Sequence, residues 1–161
     1  MLRLALVLVL AGGCVKSEPP PGASGSAPAP VVVPAVALNE LKPAQGELKA
    51  LLVGEAGKAA AQHLKPFAYV SATWCGPCNT LKHSLDNPKM IDAFKGTYII
   101  KLDSDAWDAQ LAGAGIAAPA IPVFFQLDTG GKPTGKKIDG GAWDADTVDN
   151  MAPVLSRFFH S

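Results

Sequence analysis

Phe67-Ala68-Tyr69-Val70-Ser71-Ala72-Thr73-Trp74-Cys75-Gly76-Pro77-Cys78 is the stretch that decides the fold of this chain. Its first five residues form a short apolar run with the composition of a buried strand, and they lead directly into two cysteines three positions apart. The order predicts a strand, a tight turn and a helix beginning inside the cysteine motif. A free thiol has a pKa near 8.5, whereas the thiolate is the nucleophile of disulfide exchange. A sulfur at Cys75, just before the helix start, meets the positive end of the helix and its unpaired N–H groups. Cys78 follows one turn later on the same face, as a second thiol within reach of the first. Gly76 leaves the loop room, and Pro77 presets φ in the first turn, where a missing N–H costs little.

Outward from this stretch the chain alternates between helical and extended patterns. Upstream, Leu48, Leu51, Leu52, Ala56, Ala59 and Ala60 recur at helical spacing between Ala44 and His63, and Pro66 ends that helix. Downstream, the helix from the motif runs past Leu81 and Leu85. Asn87-Pro88 breaks it before a second apolar stripe at Met90, Ile91 and Phe94. Tyr98–Leu102 reads as a buried strand with a polar end at Asp103 to Asp105, followed by a short helix through Trp107 and Leu111. Ile121–Leu127 is a further strand, joined by the turn-rich Asp128–Lys132 to a return strand through Ile138. The last helix carries Val148, Met151, Leu155, Phe158 and Phe159 on one side. Pro153 fits it only if the helix starts near Asp149 and otherwise kinks it. Alternating elements of this kind imply an α/β domain with a mixed sheet and helices on both faces.

The pentapeptide Trp74-Cys75-Gly76-Pro77-Cys78, set after an apolar strand, resembles the active site of the thioredoxin family, over roughly Leu38 to Phe159. The resemblance implies a three-layer α/β/α sandwich with a mixed central sheet. It also implies a thiol–disulfide oxidoreductase in which Cys75 attacks and Cys78 resolves, with no cofactor beyond that redox-active disulfide. Ile121-Pro122 matches the place where such proteins carry a cis-proline facing the cysteines, the backbone beside Ile121 docking extended substrate. Trp74 covers the rim of the site. Lys101 matches a lysine that many thioredoxins hold beneath the redox pair, and as a bare residue it reads equally well as a solvated strand-end lysine. Tyr69 stands where thioredoxins usually carry a buried aspartate that assists proton transfer at the second cysteine. A phenol with a reference pKa near 10 is a poor substitute, so Cys78 is expected to lose its proton through water or another group, with slower exchange.

The ends and the composition bound the rest. Met1–Cys14 reads as one positive charge, a short apolar stretch and small residues, far below the roughly 20 apolar residues of a spanning helix. Leu10-Ala11-Gly12-Gly13-Cys14 resembles a bacterial lipoprotein signal, with Ala11 where that pattern usually carries a large residue. Cys14 is then the lipidation site; the alternative is an ordinary secretory signal cleaved nearby, which leaves Cys14 absent or as a stray thiol. Val15 lacks the aspartate that retains many lipoproteins at an inner membrane, which points toward an outer one where it exists. Residues 15–37 are rich in Pro, Gly, Ala and Ser and read as a linker reaching on the order of 70 Å at about 3.1 Å per residue. Val31–Val33 within it reads alternatively as an added edge strand. Residues 38–161 form the folded domain. Fourteen basic residues against 14 acidic ones argue against a nucleic-acid binder. Two close cysteines with His63, His83 and His160 scattered do not make a zinc pattern. Glu occurs only at 18, 40, 47 and 55, so any carboxylate near the chemistry must be an Asp.

The expected role is extracytoplasmic and lipid-anchored in the cell envelope, reducing the disulfides of exported proteins as a monomer, with electrons from a membrane thiol donor. Gly76-Pro77 resembles the reducing end of the family, at about −270 mV rather than −120 mV. The alternatives are a disulfide oxidase or isomerase, or a tethered module that binds partners or copper without turnover.

Overall fold

The computed structural model describes residues 36–161. The signal-like segment, Cys14, Val31–Val33 and all of the linker but its last two residues lie outside the described residues. Five strands, β1 (Leu38–Glu40), β2 (Lys65–Ser71), β3 (Thr97–Asp103), β4 (Val123–Leu127) and β5 (Pro133–Asp139), form one sheet in the order β1-β3-β2-β4-β5. β1, β3 and β2 run parallel, while β4 is antiparallel to β2 and β5 to β4. The helices are α1 (Leu48–Ala61), α2 (Gly76–His83), α3 (Pro88–Ala93), α4 (Ser104–Leu111) and α5 (Val148–His160).

The side-chain alternation of the strands separates two cores. Ala68, Val70, Ile100, Leu102, Val123 and Phe125 face Leu48, Leu52, Trp107 and Leu111, which belong to α1 and α4. On the other face Phe67, Tyr69, Ile99 and Phe124 pack on Leu81, Met90, Met151, Leu155 and Phe159 from α2, α3 and α5. Burial on both faces explains why β2 reads as an unbroken apolar run: Pro66 through Ser71 are all buried. The mixed α/β/α architecture matches the expectation, and three details differ. The apolar pattern from Ala44 contains a 3₁₀ turn at Pro43–Gln45 before α1 begins. The strand expected from Ile121 starts only at Val123. β1 did not stand out as a strand, because three residues are too few to show a period. As Pro153 requires, α5 starts beside Asp149, at Val148, and the Asp149 carbonyl lacks the N–H that another residue at 153 would supply.

Two close contacts fix the frame around the sheet. Gly131 in the β4–β5 turn has φ 76°, and a Cβ there would lie 2.6 Å from the Leu52 backbone, so the hairpin seats on α1 only with glycine. Tyr98 is 8% exposed and donates its hydroxyl to Glu55 Oε2 at 2.6 Å, while Lys58 holds the other carboxylate oxygen at 2.6 Å. This arrangement satisfies a carboxylate that would otherwise be buried at a high desolvation cost. Replacing Tyr98 with Phe is therefore expected to cost about 1.5–3 kcal/mol, the range for a hydrogen bond to a charged group, in urea denaturation at neutral pH.

Candidate active site

The sequence between β2 and α2 turns over only a few residues. The Cys75 N–H donates to the Ala72 carbonyl at 3.3 Å, and the Asn79 side-chain amide donates to the Thr73 carbonyl at 2.9 Å. Those two bonds close the turn and leave Cys75 as the N-cap of α2, with φ −78° and ψ 110°. Cys75 and Cys78 form a disulfide with a Cα–Cα separation of 5.2 Å. The Cys78 N–H points at Cys75 Sγ from 3.2 Å. An N–H that would otherwise be an orphan of the helix start thus faces the sulfur that carries negative charge after reduction, a charge-assisted bond stronger than a neutral one. Both cysteines are nearly buried, at 4% and 3% exposure.

The opposing wall of the site comes from the start of β4. The Ile121-Pro122 peptide is cis, the isomer implied by the resemblance. The Ile121 carbonyl oxygen lies 3.7 Å from Cys75 Sγ. In the disulfide this is a bare contact; a Cys75 thiol has that carbonyl as an acceptor. Gly140 follows β5 and donates its N–H to the Pro122 carbonyl at 3.0 Å, and a Cβ on Gly140 would stand 3.2 Å from the Pro122 ring. A side chain at 140 would fit only if the proline ring or the loop gave way by a few tenths of an ångström. Trp74 is 67% exposed, and its indole N–H is held by Asp105 Oδ2 at 2.8 Å. Asp105 stands in the first turn of α4, which Asp103 caps through bonds to the Asp105 and Ala106 N–H groups. Gly140 and Asp105 were missed from the sequence because only the sheet brings them to the motif.

Beneath Cys78 the structure has a small cavity of about 40 Å3, bounded among others by Leu38, Tyr69, Ser71, Lys82 and Lys101. Tyr69 and Lys101 are paired across β2 and β3, and both project to this face of the sheet. They therefore sit with Cys78 rather than at the open side of Cys75. Tyr69 is stacked on Phe124 with ring centroids 4.6 Å apart, and burial pushes its hydroxyl pKa up to about 12. Tyr69 is thus an acid far too weak to manage a thiol proton near neutrality. Lys101 is not a solvated strand-end lysine: it is 18% exposed and paired with Glu40 Oε2 at 3.1 Å. This pair corrects the inference that a carboxylate near the chemistry is an aspartate. Glu40 arrives on β1, opposite Lys101 in the register.

Among solved structures, a disulphide isomerase from Xylella fastidiosa Temecula1 superposes with a TM-score of 0.53 at 21% identity, covering 77% of this chain and 97% of that one. The fold is the thioredoxin fold. A Trichomonas vaginalis thioredoxin gives a TM-score of 0.49 at 23% identity, over 75% of this chain and 96% of that chain. No family model matches the sequence, and no curated protein does. The chain thus has the fold of thioredoxin-like oxidoreductases with a cysteine pair at disulfide distance in its first α2 turn.

The only tyrosines of the chain are Tyr69 and Tyr98. Burial pushes Tyr98 to about 12 as well, with Glu55 adding to the shift. Both phenols stay protonated in the folded protein above their unfolded value near 10. Their contribution to stability is therefore complete below pH 10 and is lost as pH rises through about 12. Tyrosinate absorbance of the native protein is expected to stay flat to about pH 11 and to rise only as the fold opens, whereas the urea-unfolded chain titrates near 10.

Proposed function

We propose that this protein is an extracytoplasmic thiol–disulfide oxidoreductase, tethered through Cys14, that reduces disulfides of exported proteins. The observation that carries the reading is the Cys78 N–H placed 3.2 Å from Cys75 Sγ at the start of α2. It supports Cys75 as the thiol whose anion is stabilised, and Cys78 as the thiol that follows.

In the proposed cycle the Cys75 thiolate attacks one sulfur of a substrate disulfide. A Cys75–substrate mixed disulfide forms, and the other substrate sulfur leaves as a thiolate that takes a proton from solvent. Cys78 then loses its proton and attacks Cys75 Sγ. The substrate departs with its second thiol, and the Cys75–Cys78 disulfide closes. Two electrons have passed to the substrate, so a membrane thiol donor must return two to the pair before the next turn. Ile121 lies against Cys75, and the exposed Trp74 ring next to it in the chain adds apolar surface open to an extended chain.

The experiment is reduction of insulin disulfides with dithiothreitol as electron source. The wild-type chain should accelerate it, and Cys75→Ser should bring the rate to background. Cys78→Ser should lower turnover by at least about tenfold while accumulating mixed disulfides in intact cells, since the resolving thiol is gone. Insulin reduction that persists in Cys75→Ser would overturn the assignment. Absence of any activity, with tight Cu(I) binding instead, would favour a metal-handling module.

A further inference from the structure

The cavity under Cys78 is lined by ionisable side chains of β2, β3 and α2, while β1 lines it with Leu38. β2 contributes Tyr69, a neutral phenol, and Ser71; β3 contributes Lys101; α2 contributes Lys82, which is exposed and screened by solvent. The facing Ile121-Pro122 segment adds no titratable side chain. Behind Lys101, Glu40 on β1 is shared: one oxygen takes Lys101 at 3.1 Å and the other takes Lys42. One carboxylate therefore lies between two ammonium groups and only half-neutralises them.

We propose that Glu40 is a positioning residue for the resolving step, acting through Lys101. Its carboxylate holds the Lys101 ammonium at the cavity beneath Cys78 and sets how much positive charge the Cys78 thiolate meets. The proposal rests on the thiol–disulfide reading above. A cavity of about 40 Å3 has room for a water. The Cys78 S–H bond breaks with its proton passing to that water and on to bulk solvent, and the thiolate left behind is stabilised by Lys101. Tyr69 takes no part, since its hydroxyl stays protonated to about 12. Glu40 stays ionised throughout: the hydrogen bond from Lys42, and then that from Lys101, holds it below the usual carboxylate range against the opposing effect of burial. Glu40 thus acts through its charge and placement and not as a proton acceptor.

The two partners predict opposite signs. Lys101→Met removes the cation and should raise the Cys78 pKa by about one unit, the scale of a nearby opposite charge. Glu40→Gln keeps a side-chain oxygen that accepts from Lys101 but deletes the negative charge, so the Cys78 pKa should fall, by less than that. Glu40→Asp should restore the wild-type value. The measurement is iodoacetamide labelling of Cys78 against pH in full-length Cys75→Ser chains, read peptide by peptide by mass spectrometry so that Cys14 does not contribute. A Glu40→Gln midpoint that is unmoved or rises overturns the role of Glu40, whatever Lys101→Met does. Should Lys101→Met fail to fold, Glu40→Gln, at a partly exposed edge-strand position, decides alone. Labelling needs no turnover. A wild-type chain unable to reduce insulin would therefore refute the proposed function and leave this result intact, and the converse holds as well.

Discussion

Everything in the site depends on one constraint, a helix that starts at a cysteine directly after a fully buried strand. β2 has helices on both of its faces, so its C-terminal end is fixed in position by the two cores. Because α2 begins within a few residues of that end, Cys75 inherits the rigidity of the sheet. The Cys78 N–H, left unpaired by helix geometry, is then directed at Cys75 Sγ without any dedicated residue. The other walls are arranged around this point. The cis Ile121-Pro122 segment comes from the strand antiparallel to β2, and the Trp74 ring is held from α4, which follows β3.

The motif and its strand were legible in the sequence because both signals are local. An apolar run, a dithiol one turn apart and a proline in the first helical turn lie within twelve consecutive residues, and each acts on its immediate neighbours. The long amphipathic elements were legible for the same reason. What stayed hidden was non-local. β1 is three residues long, so no periodicity announces it, and with it Glu40 was set aside in favour of aspartates. Gly140 is distinguished only by the ring of Pro122 against it, a contact made when β5 pairs with β4. Tyr69 was recognised as a departure from its position beside the motif, but its stacking on Phe124 required the fold.

Lys101, Tyr69 and Ser71 line the cavity beside Cys78 from two adjacent strands, and Glu40 on β1 pairs with Lys101. The two sulfurs therefore meet different environments. Cys75 faces a helix start and a peptide-lined approach, suited to an anion that attacks from outside. Cys78 borders a small, partly open cavity that Lys101 also lines, with Glu40 paired to that lysine. Tyr69, a phenol that stays protonated near neutrality, supplies no base beside Cys78, and the charge proposed to act there is that of Lys101 on β3, paired with Glu40 on β1.

The account treats Cys75–Cys78 as a dithiol whose reduced form is not strongly favoured over its disulfide, as a reductant requires. Equilibrating the purified protein in graded thiol–disulfide buffers and quantifying the oxidised fraction gives its reduction potential directly. The account predicts a value near −270 mV; a value near −120 mV, that of a strong oxidant, would contradict it.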